Sequence, residues 1–319
     1  MAESQQKRRG FFGSIWSLLK GTADDFVEDN ATRLAAALAY YTLLSLAPLV
    51  VLALAIAGLV VDQESTRDQL AAELGSVVGS SGEEAVRAIV ENAKTPSTGI
   101  VSSALGIVVL LFGASGVFGE LQGALNTIWE VAPKPGRGIW GTIKDRLFSF
   151  AMVMGVAFLL LVSLILGAAL AAVGHFLESS LPGGEAVWQV LNFLLSFAVV
   201  SALFAVMFKV VPDVEVKWKD VWIGAVVTAF LFTVGKFLIG LYLGKSSVAS
   251  AYGAAGSIVL LVIWVYYSSL ILLAGAEFTQ VYTKHFGSRV RPSKNAVALT
   301  DEARAQQGMA PRNQTPSTT

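Results

Sequence analysis

The sequence predicts an all-α polytopic membrane protein, a bundle of six transmembrane helices with short amphipathic interfacial helices. Three observations lead there. Of 319 residues, 54% are apolar and only 14% charged, and mean hydropathy is +0.63, which excludes a soluble globular domain and most disordered classes. Apolar stretches recur at the roughly 20 residues a helix needs to cross a bilayer core of about 30 Å. Lysine and arginine gather on alternate connecting segments.

Residues 1–32 form an N-terminal segment with an amphipathic helix. Phe12, Ile15, Trp16, Leu19, Ala23, Phe26 and Val27 recur at steps of three and four, with Lys20, Asp24, Asp25 and Glu28 between them. Such a helix either lies in the membrane interface, Trp16 at headgroup level, or packs on the protein's own surface. The apolar run Phe11–Leu19 is short and lacks a small-residue cleavage pattern, so the segment is expected to be retained.

Spans are expected at about 33–61, 99–130, 147–173, 186–211, 221–243 and 256–282, together a transmembrane domain over 33–282. In the first, Pro48 lacks an N–H and frees the carbonyl of Leu44, which predicts a kink that is either a hinge or plain shape. Residues 62–98 are polar and acidic, with two short amphipathic patterns, and read as an outer loop. In the second span Gly106, Gly113, Gly116 and Gly123 share a face with Glu120, which sets this acid where the helix packs most closely. The span is about 48 Å long at 1.5 Å per residue, so Glu120 falls near one boundary.

The fifth span holds Lys236, roughly 22 Å from the helix start and the deepest ionisable group. It either faces a wet cavity, pairs with an acid, or snorkels outward. Gly240 and Gly244 form a small-residue pair that packs within one chain or between two, which leaves a homo-oligomer open. The sixth span starts from a loose run containing Gly253 and Gly256. It ends on Glu277, whose face it shares with Tyr267, Leu270 and Ala274. Residues 283–319 have no helical apolar period and read as a disordered tail.

Six spans place both termini on one side. The N-terminal segment, the second and fourth connections and the tail carry most of the basic residues, whereas the opposite loops offer only Arg67, Arg87, Lys94 and Lys245. Both termini are therefore expected in the cytoplasm. Arg33, Glu120, Arg146, Lys209 and Glu277 then approach the same boundary. They are expected to line a polar cavity open to the cytoplasm, with Pro48, Lys236 and Tyr267 as further pathway candidates.

The chain has no cysteine and only two histidines, His175 and His285, so thiolate chemistry is absent and no metal or cofactor site is expected. Ser45 and Ser268 have no histidine beside them in sequence, and no phosphate-binding glycine loop occurs, so no enzyme is expected. Formal net charge is zero, which gives no field for nucleic acid. The expected partners are the lipid bilayer and a small solute, ion or lipid.

The stretch Ala36-Ala37-Leu38-Ala39-Tyr40-Tyr41-Thr42-Leu43-Leu44-Ser45-Leu46-Ala47-Pro48 resembles the first-helix signature of the YihY/virulence factor BrkB family. Tyr252-Gly253-Ala254-Ala255-Gly256-Ser257, Trp264-Val265-Tyr266-Tyr267-Ser268 and Gly275-Ala276-Glu277-Phe278 resemble its last-helix signature. The resemblance runs from about Asn30 to Phe286 and implies a bacterial inner-membrane protein of six helices. The ribonuclease BN label that members have carried does not suit these residues, since no histidine–acid cluster for a metal nuclease is present in the sequence. Two readings remain: a transporter, permease or flippase-like protein, and a structural or scaffolding protein of the cell envelope.

Overall fold

In a computed structural model of the chain, the described residues are 2–57, 116–135, 184–245, 256–287 and 290–309. They are mostly helical. The helices are α1 (Ala2–Glu28), α2 (Ala31–Ala57), α3 (116–128), α4 (Gly184–Val210), α5 (Trp218–Lys245), α6 (Gly256–Phe286) and α7 (Asp301–Gln306). Four short strands accompany them: β1 (Val131–Pro133), β2 (Val214–Glu215), β3 (Arg291–Pro292) and β4 (Ala296–Ala298).

Three of these helices are long and apolar enough to cross a membrane, over Gln189–Val210, Trp218–Tyr242 and Ile258–Phe286. Their outward faces carry Phe193, Leu194, Phe230, Phe237 and Leu238, all exposed, as expected where lipid is the solvent. The spans expected over 147–173 and most of 99–130, the outer loop 62–98, and the residues Gly106, Gly113, Arg146 and Gly253 lie outside the described residues.

Among the described helices, α6 is the central one. It packs against α5, α2 and α1, and α4 packs on α5 in turn. Leu273, Ala276, Leu261 and Val281 of α6 are buried, as are Ala225 and Ala229 of α5 and Ala31, Ala35 and Leu38 of α2. The α5–α6 contact rests on two reciprocal notches. A Cβ added at Gly224 would stand 1.8 Å from Thr279 Oγ1, and one at Gly275 would stand 2.0 Å from Thr228 Oγ1. Each threonine hydroxyl donates to the carbonyl four residues back on its own helix, Thr228 to Gly224 at 2.7 Å and Thr279 to Gly275 at 2.6 Å. The hydroxyls are thereby satisfied without water, and the two backbones close to a distance only glycine permits.

The glycines named from the sequence fare differently. Gly116 touches α2, since its Cβ would lie 3.5 Å from Ser45 Oγ, and Gly256 is buried. At Gly123 and Gly240 an added Cβ meets nothing within 4 Å among the described residues, so no close packing accounts for them there. Gly244 lies in the last turn of α5, and its surroundings are outside the described residues.

The tail departs from the expectation of disorder over 283–319. Residues 283–286 complete α6, and residues 290–309 are ordered. β4 pairs antiparallel with β1, Val131 opposite Ala298, and β3 pairs antiparallel with β2, Val214 opposite Pro292. Arg304 of α7 is 3% exposed and its Nη2 donates to Asp29 Oδ1 at 2.8 Å. Asn30 Nδ2 donates to the Gly308 carbonyl at 3.0 Å. The tail thus straps the α1–α2 corner, the end of α3 and the α4–α5 turn together. Backbone pairing and a buried ion pair hold it, and neither leaves an apolar period in the sequence. Residues 310–319 lie outside the described residues.

Candidate functional site

Two features of the polar end of the bundle carry chemistry. The first is Glu277, in the C-terminal half of α6, a helix that packs against α1, α2 and α5. Its side chain is 0% exposed, and neither carboxyl oxygen has a hydrogen-bond partner among the described residues. Among the described residues, the charged groups acting on it are Asp29 and Asp25 at the end of α1, Lys284 about two turns further along α6, and Arg304 of α7. Both cations bond to other acids: Arg304 to Asp29, and Lys284 Nζ to Glu130 Oε1 at 2.8 Å. An acid without donors in an apolar interior is costly, and ionisable groups inside a span are functional by default expectation.

The second feature is a cleft of about 440 Å³ where α3 meets α2, the β1 strand and the α4–α5 turn. Asp213 is its organising residue. Its Oδ2 accepts from Asn126 Nδ2 at 2.9 Å and from Gln122 Nε2 at 3.2 Å, while its backbone N–H donates to Asn126 Oδ1 at 2.7 Å. Gln122 and Asn126 stand one turn apart on α3 and so share a face. Glu120, Thr127, Gln307 and Tyr41 complete the polar lining, and Gly116, Gly119 and Gly123 supply a wall of bare backbone.

A smaller hollow of about 380 Å³ lies on the other side of β1, against the end of α6. Gln280 Nε2 donates there to the Ile128 carbonyl and to Glu130 Oε1. Glu130 follows α3 at φ 56°, in the left-handed region, and its carbonyl accepts from the Leu299 N–H at 2.8 Å. This hollow is a junction between α3, α6 and the tail.

Of the five residues expected to line one cavity, Arg146 lies outside the described residues, and the other four are not brought together. Glu120 lines the cleft, but Glu277 is buried in the bundle interior. Arg33 stands beside Gly308 of the tail. Lys209 donates to the Val216 carbonyl and so ties the α4–α5 turn. Of the other candidates, Lys236 is exposed on α5, Tyr267 packs against Gly235, and α2 continues as helix through Pro48. The expectations from sequence do not include Asp213, Gln122, Asn126 or Gln307. The one-turn spacing of Gln122 and Asn126 beside Glu120 is a usable signal; Asp213 and Gln307 come from distant segments and leave none.

Long apolar helices with exposed aromatic faces, packed through small residues around a buried acid, define a helical integral membrane protein. The chain belongs to the Virulence factor BrkB family, whose profile matches residues 22–300. It is 33% identical over 261 residues to a UPF0761 membrane protein of Tolumonas auensis, covering 79% of this chain and 80% of that one. It is 30% identical over 279 residues to one of Idiomarina loihiensis, covering 85% and 92%. With the UPF0761 membrane protein of Psychrobacter sp. it shares 27% identity over 303 residues, which span 94% of this chain but 54% of that relative. The chain thus spans little more than half the length of some relatives it matches. No solved structure matches the chain.

Proposed function

We propose that the protein is a transporter of permease or flippase type in the bacterial inner membrane, with both termini in the cytoplasm. It moves a small solute, an ion or a lipid through a polar cavity open to the cytoplasm. The observation that supports this most is Glu277, a fully buried acid inside an apolar helix, with no hydrogen-bond partner among the described residues. A bundle built only for packing gains nothing from such a group, because an apolar residue of the same volume is less costly there. The test is flux into liposomes holding the purified protein, across panels of ions, small solutes and labelled lipids. Flux that disappears in a folded Glu277→Gln variant supports the reading; a Glu277→Gln variant that transports as the wild type removes Glu277 from it.

A scaffolding role is the second reading, favoured by the strap that joins the tail to the α1–α2 corner, the end of α3 and the α4–α5 turn. Absence of flux in every panel, with a partner protein retained through the tail, favours that role instead.

A further inference from the structure

We propose that the cleft built on Asp213 binds a solute carrying a primary ammonium group. This rests on the transport reading only in naming its substrate class, because the binding itself is measurable without transport. The lining is acidic and polar: carboxylates at Glu120 and Asp213, and side-chain amides at Gln122, Asn126 and Gln307. Among the described residues, no lysine or arginine lines it and neither carboxylate forms an ion pair.

Asp213 is held in place by two amide donors on one oxygen and a reciprocal bond through its own N–H. Its carboxylate is therefore oriented before any ligand arrives, which spares a ligand the cost of ordering it. An ammonium group has three donors and no acceptor, so it matches the carboxylates of Glu120 and Asp213. A phosphate or carboxylate ligand would meet like charge and no cation. A bare metal ion fits less well, since no group of three or more histidines, aspartates or glutamates gathers among the described residues.

Among the described residues, the glycine wall of the cleft is open. A Cβ at Gly119 or at Gly123 would meet nothing within 4 Å among the described residues. Among the described residues, these glycines therefore leave room that a larger side chain would fill, without a packing contact to disturb.

The test uses the full chain purified in detergent, titrated calorimetrically with 1,4-diaminobutane, ethanolamine, tetramethylammonium, magnesium and sorbitol. The expected result is binding of the two primary amines, with weaker or no binding of the other three. Glu120→Gln and Gly123→Leu should each weaken amine binding about tenfold or more, through loss of a hydrogen bond to a charged group or of the space itself. Thermal unfolding of each variant without ligand checks that it is folded. Binding of magnesium in preference to the amines, no amine binding by the wild type, or unchanged binding in both folded variants overturns the proposal. If liposomes transport another class of solute while amines fail to bind, this inference falls and the transport reading stands. If amines bind but no panel shows flux, the reverse holds.

Discussion

Adding one methyl group at Gly224 should separate α5 from α6, and the same addition at Gly123 should not. At Gly224 the new Cβ would lie 1.8 Å from Thr279 Oγ1, 2.7 Å from its Cβ and 2.9 Å from its Cγ2. Thr279 cannot swing away freely, because its hydroxyl is bonded to the Gly275 carbonyl at 2.6 Å and its rotamers are few in a helix. Overpacking of this kind costs about 1–3 kcal/mol. Replacing glycine by alanine in a helix gains about 1 kcal/mol by itself, but that gain applies equally to Gly123→Ala, where no described atom lies within 4 Å. The difference between the two variants therefore isolates the clash, and should be about 1–3 kcal/mol. The assay is the midpoint of SDS-induced unfolding in mixed micelles. Combining Gly224→Ala with Thr279→Gly should recover part of the loss, since the three closest atoms all belong to the threonine side chain. Coincident midpoints for Gly224→Ala and Gly123→Ala would refute the close approach of the two helices.

Three further outcomes are expected. Arg304→Ala should release the tail, because breaking a buried ion pair by removing one partner costs about 3–5 kcal/mol; limited proteolysis should then cut residues 290–309 faster than in the wild type. Asn30→Val should destabilise the α1–α2 corner more than Asn30→Gly, since Asn30 sits at φ 51°, where a β-branched residue is strained; thermal unfolding of the two variants compares them. The start of α7 should loosen in acid. The Glu302 carboxyl is held below its ordinary value by a backbone hydrogen bond and by the Thr300 hydroxyl. Its contribution is thus present above the unfolded value and is lost as pH falls through the lower folded one, and amide exchange over 301–306 followed through that fall checks it.

Much of this protein is legible without coordinates. The apolar lengths of about 186–211, 221–243 and 256–282 predict helices that suit a membrane, because a span must satisfy its own backbone and can do so only as a helix here. The family signatures around Ala36–Pro48 and Tyr252–Phe278 are local strings, and they agree with the matched profile. Glu277 and Glu120 stand out as acids on otherwise apolar helices. Tertiary structure alone decided what those acids meet. Glu277 is closed off within a helix packed on α1, α2 and α5, while Glu120 shares a cleft with Asp213 from a distant part of the chain. The notches at Gly224 and Gly275 required the register of two helices, since the effect of a glycine depends on the side chain opposite it. The ordered tail depended on strands far apart in sequence finding each other through backbone hydrogen bonds. Those bonds use groups common to nearly every residue, so no composition reveals them.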